Sequence, residues 1–144
     1  MKKLILFCIL FLWATSIAQK LNDSLLIGAW RTEAVLKKPS NPHHRDLVDS
    51  FKGATFRLYP DHTFEINTED NSQDFAALRK MTKEKSWKFD AVTNTIKIGD
   101  AKDNYSTMKI KVRQTDGKMI FTMEESYHSI EVSVKKYELP AKKI

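Results

Sequence analysis

From residue 20 onward, apolar and polar positions alternate with a period of two, the mark of strands that bury one face. Trp30, Thr32, Ala34 and Leu36 share one face of the first such stretch, with Arg31, Glu33 and Val35 on the other. The same alternation sets Ala54, Phe56 and Leu58 against Thr55, Arg57 and Tyr59, and Phe64 and Ile66 against Thr63 and Glu65. It continues with Trp87 and Phe89, Ile96 and Ile98, then Met108, Ile110 and Val112. Met119, Phe121 and Met123 follow, then Ile130, Val132 and Val134. Eight strands are predicted, each with one apolar face.

The connections predict antiparallel neighbours. Pro60-Asp61-His62, Thr93-Asn94 and Asp116-Gly117 are each short enough for a hairpin, and Asp-Gly is a strong hairpin dipeptide. Successive hairpins without a long late crossover predict an all-β, antiparallel, up-and-down β-barrel of about eight strands, whose closure removes exposed edges. Two segments interrupt the alternation. Lys37 to Ser50, with Pro39 and Pro42, is read as a loop. Glu69 to Lys83 predicts one short helical insert, capped by Asp70 or Ser72, with Phe75, Leu78 and Met81 on one side. That helix would either patch the barrel or act as a lid.

The first eighteen residues have a different character. Lys2 and Lys3 precede an apolar run from Leu4 to Trp13, and Ser16-Ile17-Ala18 places small residues at a cleavage site. The run is about half of the ~20 residues a membrane span needs. Residues 1–18 are therefore expected to be a signal peptide cleaved after Ala18, making the protein secreted or periplasmic and not membrane-spanning. Residues 19–144 would form one domain. Cys8, the single cysteine, falls inside the leader; Phe7 before it argues against a lipid-anchored cysteine. The mature chain then has neither disulfide nor thiol chemistry. About 125 residues suffice for a core without such staples.

The formal charge of +6 includes two from Lys2 and Lys3, leaving +4 spread along the mature chain. No block of lysine and arginine marks a nucleic-acid arm. Lys109, Lys111 and Arg113, with Lys135, are read as a solvated outer face. His43 and His44 are neighbours, whereas zinc ligands are usually two to four residues apart, so they are read as solvated loop residues. No motif gives a nucleophile its structural setting, and no cofactor is implied.

"LLIGAW", Leu25 to Trp30, resembles the Gly-x-Trp signature opening the first strand of lipocalins and of short bacterial lipocalin-like domains. "FRLYPDHTFEI" and "KSWKFDAVTNTIKI" resemble later hairpins of that family. The resemblance implies that a helical turn at Leu25–Ile27 plugs one barrel end, that Trp30 floors the interior, and that the barrel holds a small ligand. Lipocalins commonly add a disulfide, a C-terminal helix and an arginine stacked on the tryptophan. Here the disulfide and helix are missing, and Lys135 or Lys136 stands nearest to the arginine's role.

The inward-facing set carries no charge. The expected ligand-binding residues are Trp30, Phe56, Phe64, Trp87, Phe89, Met108, Phe121 and Met123, which would suit a small hydrophobic molecule. The expected function is non-enzymatic binding. The alternative is a filled barrel that meets a protein or envelope partner through its loops.

Overall fold

The computed structural model describes residues 20–70, 72–125 and 128–141; the expected signal peptide, with Cys8, lies outside them. Alternation becomes eight strands: β1 (Gly28–Lys37), β2 (Thr55–Leu58), β3 (Phe64–Asn67), β4 (Ser86–Asp90), β5 (Thr95–Gly99), β6 (Met108–Thr115), β7 (Lys118–Glu125) and β8 (His128–Tyr137). Their order, β3-β2-β1-β8-β7-β6-β5-β4, is antiparallel throughout and joins the first strand to the last. The sheet is thus an up-and-down barrel, nearly closed. Among the described residues, no helix is long and apolar enough to cross a membrane.

The seam lies between β3 and β4. It is a single bridge, Thr63 to Ser86, with Phe64 N–H donating to Lys85 O at 3.1 Å and Trp87 N–H to His62 O at 2.7 Å. His62 takes the left-handed conformation in the turn (φ 66°) and stacks its ring on Trp87 at 4.7 Å. Trp87 Nε1 donates to Tyr59 O at 3.1 Å. Past this bridge the helical insert, α3 (Gln73–Thr82), packs along β3 in place of a strand, and Arg79 donates to Asn67 Oδ1 at 3.1 Å. Ser72 caps it, accepting from Phe75 N–H at 3.1 Å.

At the opposite end from α3, the chain enters through α1 (Asp23–Leu26), capped by Asn22. Leu26 is fully buried, with Leu25 and Ile27 partly so. Trp30 Nε1 donates to Leu26 O at 2.8 Å. Lys136, paired in register with Trp30, places Nζ 5.4 Å from the centre of the indole and donates to Leu25 O at 2.8 Å. Lys136, not Lys135, is the cation over the tryptophan. A Cβ on Gly28 would come within 2.6 Å of Lys136 Cε, so the bare glycine leaves room for that lysine.

Two expectations need correction. Ala34 and Leu36 do not share the buried face of Trp30 and Thr32: the β1–β8 register shifts between Thr32 and Ala34, a bulge that turns Val35 toward the core and leaves Leu36 exposed. Lys37–Ser50 is not simply a loop, and the helical insert is not the chain's one helix. Asn41 accepts from His43 N–H at 3.0 Å and starts a 3-10 turn, Pro42–His44, leading into α2 (Arg45–Lys52). Val48 and Phe51, three apart, bury one side of α2, and Leu47 is partly buried.

The β5–β6 turn rests on Gly99. A Cβ there would lie 2.7 Å from Tyr105 Cα and 2.5 Å from Asp103 Oδ1. Because the first of these is backbone, Gly99→Ala is expected to cost about 3 kcal/mol, combining strain and overpacking. Gly117→Ala, with nothing within 4 Å of the new Cβ, should cost only about 1–2 kcal/mol for its left-handed backbone. Urea melts of the pair check the difference, and equal losses would refute the close approach.

Candidate functional site

Up-and-down topology gathers the loops β1–β2, β3–β4, β5–β6 and β7–β8 at one end of the barrel. There the insertion of α3 beside β3 opens the wall and leaves a cleft of about 750 Å³. Leu47 and Phe51 of α2 line one side, and Ala77, Leu78 and Met81 of α3 another. Met108, Met123 and Ile130, from the upper ends of β6, β7 and β8, close it. The volume falls in the 300–1,000 Å³ range of small-molecule sites, whose walls are mostly apolar with a few polar groups.

Polar groups stand at its margin: His44, Asp74, Ser106, Thr107, Lys109 and Glu124. Glu124 is tied to Lys111 at 3.1 Å. Among the described residues Lys109 has no ion-pair partner. The β5–β6 turn that carries Ser106 and Thr107 is stiffened from within. Asp103 accepts from the Thr107 hydroxyl and from Asp100 N–H. These bonds, the hydroxyl's first, hold its carboxyl down at about 2. Asp100 is likewise lowered, chiefly by the Lys85 ammonium at 2.7 Å.

Below the cleft the interior is occupied by rings. Phe51 stacks on Phe56 (6.3 Å between centroids), Phe56 meets Phe121 edge-on at 5.3 Å, and Phe121 touches Trp30 at 5.8 Å. The eight residues expected from sequence are therefore divided along the barrel axis. Met108 and Met123 line the cleft. Phe56, Phe64 and Phe121 lie in the packed core, Trp30 and Trp87 belong to the α1 end, and Phe89 is half-buried farther along β4. The sequence reading did not anticipate His44, Leu47 and Phe51 as part of the site. Their signal was Asn41-Pro42, a cap and a first-turn proline, ahead of Leu47, Val48 and Phe51 at helical spacing.

The basic stripe is not one patch. β7 separates β6 from β8, Arg113 pairs with Glu131, and Lys135 lies opposite Arg31 on β1. Searches against protein-family models, curated proteins and solved structures find no match to this chain.

Proposed function

We propose that this chain is an exported, non-enzymatic binding protein that takes a small hydrophobic molecule in the cleft at the open end of a lipocalin-like barrel. The observation that carries the reading is the cleft itself: about 750 Å³, walled by Leu47, Phe51, Leu78, Met81, Met108 and Met123. Such surface releases water on binding and stabilises an apolar guest by roughly 25 cal/mol per Å² buried. The rim residues would orient any polar end. The ring stack beneath favours a guest that stops at Phe51.

The test is titration of the mature chain with an environment-sensitive apolar dye. The dye's own emission is the readout, because Trp30 and Trp87 lie at the far end of the barrel. Saturable one-site binding is expected, weakened about tenfold or more by Leu78→Lys, which replaces an apolar wall with a charge. Saturable binding indifferent to Leu78→Lys would place the site elsewhere. No binding would favour the alternative the ring stack supports, a filled barrel acting through its loops.

A further inference from the structure

We propose that Met81 is a modification site that controls the cleft: a peroxide converts its thioether to the sulfoxide and so weakens the hold on an apolar guest. This deepens the apolar-ligand reading and rests on it. The sequence holds five methionines, one of them residue 1. Of the other four, Met81, Met108 and Met123 line this one cleft. Methionine often fills irregular gaps in cores, and on their own three thioethers would mean no more than that. Exposure sets one of them apart. Met81 is 50% exposed, against 9% for Met108, 8% for Met123 and 6% for Met119.

The helix explains the difference. Asp74, Ala77, Leu78 and Met81 fall three or four apart along α3, so they share the side that lines the cleft. Phe75 and Thr82 are the buried residues of that helix. Met81 is thus part of the cleft wall and open to solvent at once. Its sulfur can give a lone pair to one oxygen of a peroxide. The S–O bond forms as the O–O bond breaks, and with hydrogen peroxide the second oxygen leaves as water. Sulfur is oxidised by two electrons and the peroxide is reduced by two. A flexible apolar side chain becomes a polar one, and methionine sulfoxide reductases reverse the change. Cys8, the chain's one thiol, belongs to the expected leader, so no thiol of the mature chain competes for the oxidant.

Treatment of the mature chain with hydrogen peroxide, followed by peptide mass spectrometry and by titration with the apolar dye, tests this. Met81 is expected to gain oxygen at least about fivefold faster than Met108, Met119 or Met123, because susceptibility follows exposure. Saturating dye should slow that gain. Chain oxidised at Met81 alone should bind the dye about fivefold or more weakly, since a polar group now stands in the apolar wall. Met81→Gln, polar and of similar length, should show the same weakening without oxidant. Met81→Leu, which is near-isosteric, should bind as the parent does and keep its affinity through the same treatment. Equal oxidation rates at the four methionines, an unchanged affinity after Met81 is oxidised, or a leucine variant that loses affinity as the parent does would each overturn the proposal. In those cases dye binding by the untreated chain leaves the apolar reading standing; an untreated chain that binds no dye sinks both.

Discussion

Trp30→Ala should lower the free energy of unfolding by about 3–5 kcal/mol, measured by urea melts. The side chain is 5% exposed, packs on Phe121, and ties α1 to the barrel through Leu26 O. Its removal leaves a cavity, an unpaired carbonyl, and a lysine ammonium without the ring face beneath it. Trp30→Phe keeps most of the buried area and loses the indole N–H, so about 1–3 kcal/mol is expected. For a domain whose total stability is about 5–15 kcal/mol, the alanine variant would be near the limit of folding. A loss below about 1 kcal/mol would mean that Trp30, Leu26 and Lys136 do not act as a clamp.

Most strands were legible because they bury one face, and a period of two survives in sequence wherever that holds; β7 is an exception, buried at every position from Met119 to Met123. The Asp116-Gly117 hairpin was legible for a separate reason. Both residues take positive φ, 52° and 74°, as the twist of a two-residue turn demands. The bulge in β1 was not legible. It depends on how β1 meets β8, a hundred residues away, and local alternation carries no trace of that register. In the 3-10 turn that leads into α2 the cap Asn41 and Pro42 were visible, but the prolines and histidines there read as loop, and in α2 burial of Val48 and Phe51 overrides weak propensity.

The candidate site was legible in one dimension only. Alternation tells which side chains face inward and says nothing of their height along the axis. Trp30, Phe121 and Met123 therefore look equivalent in sequence, although the first meets α1, the second lies mid-barrel and the third reaches the cleft. What makes the cleft is α3 standing where β4 would otherwise continue, a consequence of tertiary packing against β3.

Phe51→Ala should be the second large loss, about 3–5 kcal/mol, because the ring is 2% exposed and sits between two layers. On one side it stacks on Phe56; on the other it meets Phe75 of α3 edge-on at 5.3 Å. It therefore joins α2, α3 and the barrel core, and such an edge-on pair adds about 0.5–1.5 kcal/mol beyond the area it buries. Phe51 also lines the cleft, so its truncation should deepen the site toward Phe56 as it weakens the fold. Phe51→Leu, which keeps most of the volume, is expected to cost less than half as much and to leave the depth unchanged. Urea melts paired with a series of apolar dyes of increasing chain length read both effects. The alanine variant should gain relative affinity for the longer members, and the leucine variant should follow the parent. An alanine variant that loses stability without changing its preference for length would show that Phe51 supports the cleft without forming its floor.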